Sequence, residues 1–146
     1  MRSILRKAKK LELNDISKIY MNEFSKPPYN EKWTYKKVNE RIQFYYKYYD
    51  LYSILLDKKL VGFIAVNPKF MCPGDVAYVE EVAIIEEFQS KGIGKEVTKQ
   101  IFEIYRKRGF KKFLCIVNKK GNAIKALKKL KVNESKSEIL MEKKLK

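Results

Sequence analysis

The stretch Val79-Glu80-Glu81-Val82-Ala83-Ile84-Ile85, continued by Glu86-Glu87-Phe88-Gln89-Ser90-Lys91-Gly92-Ile93-Gly94, decides the fold. Apart from Glu80 and Glu81 its first seven residues are apolar and rich in β-branched side chains, which reads as a strand. Gly92 and Gly94 make a tight turn. After it, Val97, Ile101, Ile104 and Tyr105 recur at helical spacing, with Lys99, Glu103 and Arg106 largely off that stripe. Val76 to Arg108 is therefore a strand, a glycine turn and a helix.

Such a junction suits an anion. The first N–H groups of a helix have no internal acceptor, and the macrodipole favours negative charge in front of them. Gly92 and Gly94 remove side chains so that an oxygen-rich group can approach the main chain. Lys91 and Lys95 add positive charge, and the expected ligand group is a phosphate or pyrophosphate. A Walker A loop would need glycine at Gln89 and a hydroxyl at Glu96, and a dinucleotide fingerprint would need a small residue at Val97, so neither fits.

Gln89-Ser90-Lys91-Gly92-Ile93-Gly94, preceded by Glu81-Val82-Ala83-Ile84 and Glu87-Phe88, resembles the pyrophosphate-binding loop and central strand of the GNAT superfamily of N-acetyltransferases. The resemblance implies a GNAT-like α/β (α+β) fold with a mixed, mostly antiparallel central sheet and helices on both faces. It implies acetyl-coenzyme A (acetyl-CoA) as co-substrate, held by Gln89, Ser90, Lys91, Gly92, Ile93, Gly94 and Lys95. The backbone of Val82, Ala83 and Ile84 would then lie along the pantetheine arm and offer N–H groups to the thioester carbonyl. Asn118 and Asn122 would be further polar contacts to the cofactor.

At 146 residues the chain reads as one domain, residues 1–146, large enough to bury a core without disulfides or metals. No apolar run approaches ~18 residues, so no membrane-spanning helix is expected. Met1 to Arg6 lacks the apolar core of a signal peptide, making cytoplasmic residence the default. Cys72 and Cys115 fall in unlike environments and suggest no disulfide framework. Without histidine there is no His base, no Ser-His or Cys-His pair and no His metal site. No metal centre is expected.

The net charge is +16, from 33 Lys and Arg against 17 acids. The lysines are scattered over many elements, which favours solvated faces and a basic ligand cleft over a nucleic-acid surface.

Taken in order, Ser3 to Lys10 suits an edge strand. Asn14 or Asp15 can cap a helix striped by Ile16, Ile19, Tyr20 and Phe24, and Pro27-Pro28-Tyr29-Asn30 ends it. Thr34 can cap a second helix with Val38, Ile42, Tyr45 and Tyr49 on one side. Tyr29, Trp33, Tyr35, Phe44, Tyr46 and Tyr48 exceed one stripe and read either as core or as an aromatic wall for an acceptor.

Tyr52–Leu56 and Leu60–Val66 form a hairpin around Asp57-Lys58-Lys59, with Gly62 marking a bulge or a close backbone approach. Gly109 and Phe110 stop the central helix. Phe113 to Val117 reads as a fully buried strand. Asn118 to Gly121 is a turn, Asn122 caps a short helix carrying Ala123, Leu127 and Leu130, and Val132-Asn133 and Glu138–Leu145 close the chain as strands.

Acetyl transfer to an amine needs a base, and Glu80 and Glu81 are the candidates, because carboxylates inside an apolar strand have their charged forms disfavoured. Strict alternation places them on opposite faces, and a bulge would change that. Glu81 matches the acid often found at this point of the family pattern. Where the family commonly carries a Tyr acid for the leaving thiolate, this chain has Leu127, with Lys120 at the usual Asn.

The leading expectation is acetyl-CoA-dependent transfer to a primary amine of a small molecule or peptide in a ternary complex. The alternatives are a catalytically impaired acyl-CoA-binding regulatory module and a basic nucleic-acid- or ribosome-binding protein. A homodimer is compatible with the family.

Overall fold

The computed structural model describes residues 2–146; Met1 lies outside them. In chain order the elements are β1 (Ser3–Lys7), α1 (Leu13–Phe24), α2 (Tyr35–Tyr48), β2 (Asp50–Leu56), β3 (Lys59–Asn67), β4 (Val76–Ile84), α3 (Ile93–Lys107), β5 (Lys112–Cys115) and α4 (Ala123–Lys129), with single 3₁₀ turns at Lys10–Glu12 and Glu86–Phe88. The strands form one five-stranded sheet in the order β1-β2-β3-β4-β5. The first three pairings are antiparallel and β4–β5 is parallel. This is the expected mixed sheet.

The sheet is covered on both faces, so β2 and β3 are buried along nearly their whole length. On one face Val97, Ile101 and Tyr105 of α3 pack with Ile54, Val61, Ile64 and Val79. On the other, Ile16, Tyr20 and Phe24 of α1 and Val38, Ile42 and Tyr45 of α2 pack with Leu51, Phe63, Ala65 and Ala83. The apolar stripes read from the sequence are these contacts. Fully burying each large aliphatic or aromatic side chain contributes about 1.5–3 kcal/mol.

Several local expectations hold with their reasons visible. Thr34 Oγ1 accepts from Lys37 N at 3.3 Å and caps α2. Asp57 and Lys58 both have positive φ, as a two-residue hairpin turn requires. At Gly62 a Cβ would stand 2.4 Å from the Ala83 carbonyl oxygen, so β3 and β4 approach there closer than any side chain allows. The bulge beside it leaves Val61 as the extra residue between Gly62 and Leu60. Past α3, Phe110 N bonds Tyr105 O at 3.0 Å and its ring meets the Tyr105 ring, the stop expected of Gly109-Phe110.

Four expectations are corrected. Helix α1 begins at Leu13 rather than after Asn14 or Asp15, because the 3₁₀ turn leads into it and Glu12 Oε1 accepts from Lys9 N at 2.8 Å. Asn122 precedes α4 but makes no side-chain cap bond. Strand β5 is short and half-buried instead of running fully buried to Val117: its pairing ends at Cys115, its outer edge has no partner strand, and Ile116 is exposed. No strand follows α4. Ser135, Ser137 and Glu138 bond one another locally, an alternative to ladder pairing, and Ile139, Leu140, Met141 and Leu145 are exposed.

Candidate active site

The site begins with an irregularity in β4. Across the β3–β4 pair Ala65 lies opposite Glu81 and Val66 opposite Val79, leaving Glu80 as an extra residue. Such a bulge resets the side-chain phase. Ala77 and Val79 accordingly pack on the α3 face and Ala83 on the α1–α2 face. Glu80 and Glu81 do not diverge as strict alternation requires. Both reach one guanidinium, with Arg41 Nη2 at 3.2 Å from Glu80 Oε2 and 3.1 Å from Glu81 Oε1.

The two carboxylates are held differently. Glu80 Oε2 accepts from Tyr45 O–H at 2.8 Å as well as from Arg41, and its Oε1 accepts from Tyr49 O–H at 2.9 Å. Glu81 Oε1 accepts from Tyr20 O–H at 2.9 Å and from Arg41, while among the described residues its Oε2 has no hydrogen-bond partner. Burial raises the Glu81 pKa above the ordinary carboxylate value, against the opposing pull of Tyr20 and Arg41. The phenols respond in the same sense. Tyr20 and Tyr45 are pushed far up by burial and the neighbouring carboxylates, and Tyr49 is raised to about 12 by burial and its bond to Glu80. At neutral pH all three are therefore donors.

Beyond Val79 and Cys115 the strands β4 and β5 part. From Glu81 to Ile84 the β4 backbone pairs only with β3, leaving its other edge open. This gap belongs to a cavity of about 790 Å³. Its walls include Glu80 to Ile84 on one side, Cys115 to Asn118 with Ala123 and Leu127 on the other, and Gln89, Ser90, Gly92, Gly94 and Lys95 at one end. Glu23, beside Gln89, and Tyr29 and Glu31 also line it. The Cys115 thiol, in the wall, has its pKa raised by burial.

The glycine turn is built as the sequence indicates. Gly92 lies at φ +82° with nothing within 4 Å of where a Cβ would be, and Ser90 is also left-handed at φ +60°. The first bond of α3 is Glu96 N to Gly92 O at 3.0 Å, so the N–H groups of Ile93, Gly94 and Lys95 have no acceptor within the helix. Lys95 lines the cavity. Lys91 and Ile93 do not: Lys91 Nζ lies over the Phe88 ring and Ile93 is buried in the α3 core. Gln89 lines the cavity but its Nε2 is engaged with the Ile84 carbonyl at 2.7 Å and Glu23 Oε1 at 3.0 Å, so the amide fixes the turn against β4 and α1. Asn118 and Asn122 both reach the wall, and Asn118 Oδ1 also accepts from Lys120 N.

The aromatic wall is largely not there. Tyr35, Phe44, Tyr46 and Tyr48 are exposed outside the cavity, and Trp33 packs edge-on against Tyr20. Tyr29 alone of the tyrosines lines it, its hydroxyl 3.4 Å from where a Cβ on Gly121 would lie. Sequence reading missed Arg41, Glu23 and the roles of Tyr20, Tyr45 and Tyr49. Tyr45 and Tyr49 were legible only as an apolar stripe, and Arg41, beside Ile42 in that stripe, was the available signal. Among the described residues no cluster of potential metal ligands occurs, and no helix is long and apolar enough to cross a membrane.

A sheet split beside a glycine turn at a helix start, with carboxylates on the central strand, defines an acyl-transferase architecture. The model of the Acetyltransferase (GNAT) family matches residues 13–131, and the chain belongs to that family. No curated protein matches it in sequence. Among solved structures, a possible acetyltransferase from Clostridium difficile 630 superposes with a TM-score of 0.80 at 16% identity, covering 100% of both chains. A ribosomal-protein-alanine N-acetyltransferase from Brucella melitensis biovar Abortus 2308 gives 0.73 at 10% identity, covering 97% of this chain and 99% of that one. AAC(6')-Iy, in complex with a bisubstrate analogue of CoA and acetylneamine, gives 0.71 at 14% identity, covering 99% of each.

Proposed function

We propose that the protein transfers the acetyl group of acetyl-CoA directly to a primary amine, with Glu81 as the base. The observation that carries this reading is the convergence, in one cavity, of the α3 N-terminus, the open edge of β4 and the Glu81 carboxylate. The residues present fit the cofactor. Unpaired N–H groups of Ile93, Gly94 and Lys95, together with the Lys95 ammonium, suit a pyrophosphate. The open edge from Val82 to Ile84 suits an extended amide-bearing arm. When bound, acetyl-CoA supplies the activated thioester.

The chain's own groups do the rest. Glu81, which lines the cavity and whose Oε2 has no hydrogen-bond partner among the described residues, accepts the proton that the acceptor ammonium must lose, and a raised pKa brings that carboxylate nearer the working pH. Glu80, saturated by three donors, serves as an anchor. Backbone N–H groups along the open edge of β4 would stabilise negative charge on a carbonyl oxygen. Tyr29, the phenol in the wall, is the proton donor available on the side where Leu127 offers none.

Glu31, Glu80 and Glu81 form the acidic, acceptor end of the cavity in this reading, in a chain of net charge +16. An acceptor carrying positive charge beyond the reacting amine suits that end. The neighbours whose names carry acetylneamine and ribosomal-protein-alanine N-acetyltransferase support an amine acceptor. A cytoplasmic setting belongs to the same proposal.

A panel of polyamines, aminoglycosides and N-terminal peptides, assayed by CoA thiol release, tests it: release with at least one amine is expected, dependent on Glu81. The second reading, a CoA-binding module without turnover, is favoured by Leu127 in the wall. It would be left standing if acetyl-CoA bound and no amine released thiol.

A further inference from the structure

We propose that Arg41 is the positioning residue of this site: its guanidinium, laid against Trp33 and Tyr45 and donating to both Glu80 and Glu81, holds the pair on one face of β4 and keeps Glu81 able to accept a proton. The inference rests on the reading of Glu81 as the base.

The bulge that brings the two carboxylates to the same face also creates a problem. A second carboxylate beside the partly buried Glu81 disfavours the charged form of Glu81. Among the described residues Arg41 is the only cation that contacts either one. The remaining groups facing the pair are Tyr20 from α1, Tyr29 and Glu31 from the α1–α2 connection, Tyr45 and Tyr49 at the end of α2, and Tyr78 from β4. All but Glu31 are neutral phenols, and Glu31 adds to the negative charge. The burden of keeping Glu81 ionisable therefore falls on Arg41.

Its placement is fixed from outside. The guanidinium carbon lies 5.7 Å from the Trp33 ring centroid and 5.2 Å from that of Tyr45, within cation–π range. One nitrogen, Nη2, serves both carboxylates, while Nε is buried without an acceptor. A guanidinium free to satisfy itself would not leave a buried N–H unmet. The two rings and two carboxylates determine where it sits. Arg41 is absent from the cavity wall and acts only through Glu81.

The test reads the carboxyl groups directly and needs no acceptor. The full chain is labelled with [δ-¹³C]glutamate and titrated by ¹³C NMR, with Glu80→Gln and Glu81→Gln spectra assigning the two signals. Arg41→Met is expected to raise the Glu81 midpoint by about 1–3 units, the range an adjacent Arg confers on a carboxylate. Arg41→Lys, which keeps the charge, should restore most of that shift. Tyr45→Phe, which removes a neutral donor, should leave the Glu81 midpoint near wild type. Should Arg41→Met not fold, Arg41→Gln carries the same comparison. An unchanged Glu81 midpoint in the uncharged variant, or equal shifts in the Met and Lys variants, would overturn the proposal. Failure of the base reading would appear elsewhere, as a Glu81→Gln protein that acetylates its amine at the wild-type rate.

Discussion

Replacing Glu80 and Glu81 separately by Gln should give opposite signatures, because the bulge in β4 brings them together but the donors around them are unequally shared. Glu80 accepts from Tyr45 at 2.8 Å, Tyr49 at 2.9 Å and Arg41 at 3.2 Å, using both oxygens. A Gln has one acceptor oxygen, and its NH₂ would face another donor, so at least one buried donor loses its partner. That costs about 1–3 kcal/mol. At about 2 kcal/mol and roughly 2–4 °C per kcal/mol for a chain near this size, Tm should fall by about 4–8 °C. In Glu81→Gln the amide oxygen can stay at Oε1 to accept from Tyr20 and Arg41, with the NH₂ turned into the cavity. Stability should then change by less than about 1 kcal/mol. Turnover, having lost its base, should drop by about 10²–10⁴-fold. Thermal melts by circular dichroism and thiol-release rates with the best amine of the panel measure both quantities. A Glu81→Gln protein that melts early and keeps its rate would refute the assignment, as would a Glu80→Gln protein that keeps its Tm and loses its rate.

Gly92→Glu places a carboxylate at a left-handed position in front of the free N–H groups of α3, and acetyl-CoA affinity should fall by at least 100-fold in a calorimetric titration. Gly62→Ala drives a Cβ to 2.4 Å from the Ala83 carbonyl, so β3 and β4 must separate at the strand that carries the site; a loss of about 2 kcal/mol or more in urea unfolding is expected. Glu12 has its pKa lowered to about 2, first by its bond to Arg6 and then by those from Lys9 and Ser53, against the opposing effect of burial. The unfolded chain therefore binds more protons between pH 4.5 and about 2, and stability is lost as pH falls through that window. Glu12→Gln should flatten that part of an acid-unfolding profile.

The elements legible from sequence were those with a strong period or a local chemical signal. The α3 stripe, the Thr34 cap, the Asp57-Lys58 turn and the Gly109-Phe110 stop each rest on a few neighbouring residues, and each is present. The β4 bulge is different. Whether Glu80 or a neighbour becomes the extra residue depends on how β3 pairs across from it, a contact some fifteen residues away in the chain that no period records. For that reason the relation of Glu80 to Glu81 could be posed from sequence and not resolved. Arg41 was visible beside the α2 stripe but its role was not, since its partners lie on β4 and its ring contacts come from Trp33 and Tyr45.

The chain's end shows the opposite error. Ile139, Met141 and Lys143 alternate as a strand would, but alternation forms a strand only where an edge accepts it. Local bonds among Ser135, Ser137 and Glu138 set a different course for the segment leading there. The aromatic residues of α2 misled in a similar way. Their number suggested a wall, whereas the helix turns Phe44, Tyr46 and Tyr48 outward and gives Tyr45 and Tyr49 to Glu80.

The central claim, that the cavity between β4, β5 and the start of α3 binds acetyl-CoA, is tested most directly by isothermal calorimetry of the full chain with acetyl-CoA at two salt concentrations, with Gly92→Glu as control. Saturable one-to-one binding that persists at the higher salt and is lost in the variant is the expected result. Absence of binding, or equal heats from wild type and variant, would contradict it.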